Sequence, residues 1–93
     1  MAEQRFSPKN GDFKMLAVQF RMARAALDWG IVEFAERAGV STNTLVRLER
    51  GEELKQSTLD HLRTVLEEAG IEFIGEGDDW FGVRVRRTEK PAS

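Results

Sequence analysis

The sequence contains no cysteine and only one histidine, His61. Without cysteine there are no disulfides, thiolate metal sites or cysteine nucleophiles, and one histidine is too few for an imidazole-rich metal site. No stretch approaches the roughly 18 apolar residues that a membrane-spanning helix needs, and the first residues do not resemble a signal peptide. We therefore expect a cytoplasmic protein with no membrane span, no metal and no other cofactor.

The chain also lacks an excess of positive charge. The chain has 14 lysine and arginine residues against 16 aspartate and glutamate residues, which gives a formal net charge of −2. Lysine and arginine supply most of the non-specific affinity of proteins for nucleic acids. No segment forms a basic tail, so any positive patch on this protein must arise from folding.

The chain of 93 residues has a composition ordinary for one soluble domain, with 41% hydrophobic and 32% charged residues. A domain this small buries a modest fraction of its surface, and a second subunit often completes its core. We divide the chain into a flexible leader (residues 1–12), a helical domain (13–70) and a C-terminal hairpin with a tail (71–93).

Apolar residues recur at spacings of three and four along the helical domain, which predicts four amphipathic helices. The first runs from Phe13 to about Asp28. The second covers residues 31–38 and ends at Gly39, since glycine readily adopts the left-handed conformation. The third covers residues 42–50, with Ser41 as its N-cap and a glycine as its stop.

The fourth helix is predicted to begin at Ser57, because Ser57 and Asp60 together resemble a capping box, and to end at Gly70. Beyond it, residues 71–74 and 81–86 are short β-type runs that predict a hairpin. Two strands alone are only marginally stable in water. The hairpin must therefore pack on the fourth helix or on a second subunit, and a homodimer formed through residues 71–87 is one alternative.

The most informative segment spans residues 34–51. It contains two helices joined by a short turn that includes Gly39, and Val40 follows as an apolar residue at the corner. This layout is typical of proteins that place the second helix of the pair in the major groove of DNA.

The segment and its neighbours resemble the lambda-repressor-like, or Xre, family of helix-turn-helix proteins over about residues 16–70. The pieces that carry the resemblance are Ala23-Arg24, Leu27, Trp29, residues 34–41, Leu45, Leu48-Glu49-Arg50-Gly51, Thr58-Leu59 and Leu62. The tail is similar to a short subgroup that finishes in a basic strand. The resemblance implies a mainly α, compact four- to five-helix helix-turn-helix domain with a short C-terminal β-hairpin or strand. It also implies a bacterial or phage transcriptional regulator that binds a double-stranded DNA operator.

By this resemblance the third helix is the recognition helix. The side chains expected to face bases are Thr42, Asn43, Val46 and Arg47, and those expected to contact phosphates are Ser41, Thr44 and Arg50. Their chemistry agrees with these roles, because arginine can chelate guanine, asparagine can pair with adenine, and threonine or valine can contact a thymine methyl group. The family pattern also pairs a helix 1 arginine with a helix 3 glutamate, here Arg24 and Glu49, as a structural ion pair.

The second helix departs from the family pattern at its start. Where the family usually has a polar N-cap followed by glutamine, this chain has Gly30 followed by Ile31-Val32. Exposed apolar patches more often mark a protein contact than a nucleic-acid contact. The alternative is therefore an antiactivator or antitoxin-like module that binds another transcription factor through Ile31, Val32 and Val46. A third possibility is a coactivator that bridges a polymerase to a promoter protein.

The remaining polar groups have simpler interpretations. His61 is expected to be solvated on the polar side of the fourth helix. The acidic cluster of Glu76, Asp78 and Asp79 indicates a turn more than a cation site, and Arg84, Arg86 and Arg87 indicate the solvated face of a strand. No nucleophile, base and orienting residue can be assembled, so we do not expect an enzyme.

Overall fold

The computed structural model describes residues 12–75 and 81–86. This part of the chain is mainly helical, with four helices followed by a two-stranded antiparallel sheet, as the sequence predicted. The elements are α1 (Asp12–Leu27), α2 (Ile31–Ala38), α3 (Thr42–Glu49), α4 (Gln56–Glu68), β1 (Ile71–Ile74) and β2 (Gly82–Val85). Residues 1–11 of the predicted leader lie outside the described residues, and Asp12 belongs to α1.

The hydrophobic core takes side chains from every helix and from β1. Its largest apolar members are Phe20 and Leu16 of α1, Phe34 of α2, Leu45 and Leu48 of α3, and Leu59, Leu62 and Leu66 of α4. The ring of Phe20 lies 5.2 Å from that of Phe73 on β1, which joins the sheet to the helices. Burying each such side chain contributes about 1.5–3 kcal/mol, so this core is the main source of stability.

The start of α4 differs from the prediction. Its N-cap is Lys55, whose carbonyl accepts the N–H groups of Thr58 and Leu59, so the helix begins before Ser57. Ser57 therefore lies inside the first turn, and the predicted capping box with Asp60 is wrong. The Asp60 carboxylate instead accepts a hydrogen bond of 2.9 Å from the Gln56 side chain.

The two strands pair with Ile71 opposite Val85 and Phe73 opposite Val83. Ile71 and Phe73 are buried on the inner face, while Arg84 on the outer face forms an exposed ion pair with Glu72 of β1. The sheet packs on its own chain, with β1 against α4 and β2 against α1. The predicted packing on α4 is therefore present in the described residues, and a homodimer formed through residues 71–87 stays a prediction.

One buried polar side chain was not anticipated from the sequence. Gln19 of α1 is fully buried, and its Nε2 group donates hydrogen bonds of 3.0 Å to the carbonyls of Ile74 and Gly82. Its Oε1 atom is buried without a hydrogen-bond partner in the described part of the chain. Because Ile74 is in β1 and Gly82 is in β2, one amide joins α1 to both strands.

Candidate nucleic-acid interface

Helix α3 is docked by one face and exposed on the other. Leu45 and Leu48 are buried against the core, and α3 packs on α1 and α2. Thr42, Asn43 and Val46 are exposed on the opposite side, and the side chain of Arg47 is 42% exposed. The four residues predicted to face bases therefore all have solvent-accessible side chains on one short helix.

The turn that connects α2 to α3 has three residues, from Gly39 to Ser41. Gly39 has a φ of 71°, a left-handed conformation that glycine adopts without steric cost, and the next N–H group, of Val40, donates to the Ala35 carbonyl. Val40 is half-buried and packs against the core, as expected for the corner of the turn. This local geometry fixes the direction in which α3 leaves α2.

Ser41 is the N-cap of α3, as predicted. Its hydroxyl oxygen accepts the Thr44 N–H at 3.1 Å and lies 3.0 Å from the Thr44 hydroxyl. One of the two hydroxyls donates to the other, so one hydroxyl hydrogen remains to donate outward. The N–H groups of Thr42 and Asn43 lie at the free start of the helix, where intrahelical bonding cannot reach them. Together these groups provide donors suited to an anion such as phosphate.

Arg24 of α1 and Glu49 of α3 form a two-point ion pair. Arg24 Nε lies 2.8 Å from Glu49 Oε2, and Arg24 Nη2 lies 2.8 Å from Glu49 Oε1. Hydrogen bonding to the Glu49 carboxylate raises the pKa of Arg24, although partial burial of the guanidinium acts in the opposite direction. Arg21, which the sequence did not single out, also donates to the Glu49 carbonyl. The end of α3 is thus tied to α1 by two arginines.

The two arginines predicted to contact DNA both bind one carboxylate. Arg47 Nε lies 3.0 Å from Glu52 Oε1, and Arg50 Nη2 lies 2.7 Å from Glu52 Oε2. The hydrogen bonds from Arg47 and Arg50 hold the pKa of Glu52 below its usual value, so Glu52 is ionised at neutral pH. The sequence did not single out Glu52, and this role becomes visible only in the structure.

The backbone turn after α3 places Glu52 beside these arginines. Arg50 is the C-cap of α3 and not part of the helix, which ends one residue before the predicted boundary. Gly51 follows with a φ of 88°, and the Glu52 N–H then donates to the Arg47 carbonyl at 3.1 Å. This is the bonding pattern of a glycine-terminated helix, and it returns the chain toward the last turn of α3.

The apolar patch predicted around the start of α2 is only partly exposed. Val32 is 60% exposed and Val46 is 40% exposed, but Ile31 is half-buried and packs against the core. The residue that precedes α2, Gly30, provides no side-chain cap. Of the two aliphatic residues at the start of α2, only Val32 presents most of its surface to solvent.

His61 is not simply solvated, as the sequence had suggested. The residue is exposed, but its Nε2 atom lies 2.6 Å from the carbonyl oxygen of Ala38, the last residue of α2. Because a carbonyl can only accept, Nε2 carries the hydrogen and donates it. His61 therefore joins α4 to the C-terminal end of α2, a position where cationic or donor groups are favourable.

Several predicted groups fall outside the described residues. These are the acidic turn of Glu76, Asp78 and Asp79, and Arg87 of the tail. Within residues 12–75 and 81–86, no cluster of histidine, cysteine, aspartate and glutamate could hold a metal ion. No helix in the same part of the chain is both long and apolar enough to cross a membrane.

No protein-family model matches the chain, and no curated protein matches it.

Proposed function

We propose that the protein is a lambda-repressor-like, Xre-family regulator that binds double-stranded DNA in a sequence-specific manner. The observation that carries the proposal is the presentation of α3, which is docked by Leu45 and Leu48 and exposes Thr42, Asn43 and Arg47. A short helix held from one side, with base-pairing side chains on the other, is suited to the major groove. The three-residue turn before it supports the same interpretation.

In this proposal the groups at the start of α3 bind the DNA backbone, and the middle of the helix reads bases. The free N–H groups of Thr42 and Asn43 and one hydroxyl of Ser41 or Thr44 donate to a phosphate. Arg47 is the side chain best suited to chelate a guanine, because its guanidinium is rigid and partly exposed. The Arg24–Glu49 ion pair does not contact DNA but holds α3 in place.

The proposal is tested by mobility shift with genomic fragments that flank the gene, at about 50 mM and about 200 mM salt. We expect binding that weakens steeply as salt rises. Arg47→Ala should cost about 1–3 kcal/mol in binding and relax specificity at one base position. Arg84→Gln on β2 is the matched control, since it removes an arginine that is 70% exposed and lies outside α3. Binding that is absent at low salt, or equally impaired in both variants, would contradict the proposal.

A second candidate is a protein-binding regulator on the same scaffold. It is favoured by the 60% exposure of Val32 and by the acidic balance of residues 31–52, which contain four glutamates and three arginines. The partner would be a transcription factor that contacts Val32 and Val46, with acidic groups around the contact discouraging phosphate.

This candidate predicts that Val32→Asp abolishes co-purification of such a partner while the fold is preserved. Ile31 is a poorer position for the test, because its half-buried side chain supports the core. Val85→Asp is the matched control, since Val85 is 47% exposed on the sheet. If the partner is retained by Val32→Asp, or lost equally with the control, α2 is not the contact surface.

A further inference from the structure

The guanidinium groups of Arg47 and Arg50 are already bound to an acid within the protein. Glu52 uses one carboxylate oxygen for each arginine, at 3.0 Å and 2.7 Å. A carboxylate and a phosphate offer arginine the same acceptor chemistry, two oxygens that share a negative charge. Glu52 therefore occupies the position that a DNA phosphate or a guanine edge would need to take.

The placement of Glu52 is set by the backbone. The left-handed Gly51 and the bond from the Glu52 N–H to the Arg47 carbonyl fix its main chain next to the last turn of α3. Its side chain is 40% exposed, so the carboxylate is accessible to solvent and can be displaced without unfolding. A fixed but accessible acid is suited to compete with an incoming ligand.

The few positive charges near α3 make this competition important for DNA binding. Residues 31–52 contain only three basic residues, and Glu52 binds two of them. The third, Arg37, pairs with Glu33 at 2.9 Å and stacks over the ring of Trp29. Every arginine of α2, α3 and the α3 C-cap thus has an internal carboxylate partner.

We propose that Glu52 is an internal competitor for DNA, which holds Arg47 and Arg50 until a nucleic acid offers better acceptors. The inference rests on the proposed DNA-binding function. Weak contact with the phosphates of DNA of arbitrary sequence does not displace Glu52. A specific DNA site that offers a hydrogen-bond acceptor to each of the two arginines does displace it. Glu52 thereby suppresses non-specific binding and determines specificity without touching a base.

The test compares Glu52→Gln with Glu53→Gln. Glu53 is the next residue, is exposed and makes no ion pair with the described residues, so its variant removes the same charge but frees no arginine. Binding of a mixed-sequence duplex about two helical turns long is measured by fluorescence anisotropy over a salt series. A third variant adds Arg47→Gln and Arg50→Gln to Glu52→Gln.

We expect Glu52→Gln to bind this duplex about tenfold more tightly than wild type, with a log–log salt slope steeper by about two, because each freed arginine neutralises one phosphate. Glu53→Gln should stay within about twofold of wild type. The triple variant should lose the gain. In the wild type, the NMR chemical shift of the Arg47 Nε–H group should change when DNA replaces Glu52 as its partner.

The outcomes separate this inference from the function on which it rests. If wild type binds duplex DNA and the two single variants gain affinity equally, the effect is one of net charge and the inference is wrong. A Glu52→Gln variant that binds more weakly than wild type would mean that Glu52 orients the arginines for DNA, which also overturns it. If no protein binds duplex at low salt, the proposed function fails and this inference fails with it.

Discussion

The ion pair between Arg24 and Glu49 allows a quantitative prediction about how strongly α3 is held against α1. The Glu49 side chain is only 9% exposed and that of Arg24 is 23% exposed. Removing one partner of a buried ion pair costs about 3–5 kcal/mol, because the other charge is left unpaired. Partial exposure of Arg24 lets solvent screen part of this cost, so we expect Arg24→Met to destabilise the protein by about 2–3 kcal/mol.

The two partners are not equivalent. When Arg24 is replaced, the more buried Glu49 carboxylate has no counter-charge, and the 3.2 Å hydrogen bond from Arg24 to the Trp29 carbonyl is lost as well. When Glu49 is replaced by leucine, the more exposed Arg24 can move toward water, and we expect a cost of about 1–2 kcal/mol. The double variant Arg24→Met with Glu49→Leu should return to within about 1 kcal/mol of wild type, because neither charge is then unpaired.

Urea unfolding followed by tryptophan fluorescence measures these differences as midpoint shifts at constant slope. Arg84→Met is the matched control, because its pair with Glu72 is exposed on both sides, at 70% and 57% of the side-chain surface. That variant should cost less than about 0.5 kcal/mol. The reasoning would be refuted if Arg24→Met cost no more than the control, or if the double variant were less stable than both single variants.

Four further predictions concern stability; the first three are measured by the same urea unfolding experiment and the fourth by repeating it over a pH series. Ser41→Ala should cost about 1 kcal/mol, because it removes the N-cap of α3. Gly39→Ala should cost about 1–2 kcal/mol, since alanine is strained at a positive φ; an unchanged midpoint would mean that the turn relaxes. Gln19→Ala should cost about 2–4 kcal/mol through lost hydrogen bonds and a cavity, whereas Gln19→Met should stay within about 1.5 kcal/mol because it also removes the unpartnered oxygen. The arginines hold the pKa of Glu52 below its ordinary value, so this pair contributes stability that is present above the ordinary glutamate pKa and is lost as pH falls through the folded value. Glu52→Gln should therefore flatten the acid end of the stability–pH profile.

The helices and their ends were largely predictable because their signals are local. Gly39 and Ser41 mark the turn between α2 and α3 in the sequence itself, and the structure has the turn there. Three contacts were not predictable, because each depends on a partner that only the fold brings near. Gln19 binds carbonyls 55 and 63 residues away, and His61 binds one 23 residues away.

Glu52 was missed for a different reason. It lies close in sequence to Arg47, but a polar residue after a helix is ordinarily solvated, and the sequence does not reveal that a glycine turn returns its side chain to the arginines. The roles of the exposed α3 side chains toward DNA also stay predictions, because they depend on a partner molecule. The structure shows in addition that these side chains are exposed together on one helix whose opposite face packs against the core.

The amide of Gln19 has a consequence for the order in which the chain folds. Its two hydrogen bonds close loops of 55 and 63 residues, and ordering a loop of that length is entropically costly until the helices between its ends have formed. We therefore expect the strands to dock last and to be the first element released. In a chevron experiment, Gln19→Ala should accelerate unfolding and leave the refolding rate nearly unchanged; a variant that mainly slows refolding would place this contact in the folding nucleus.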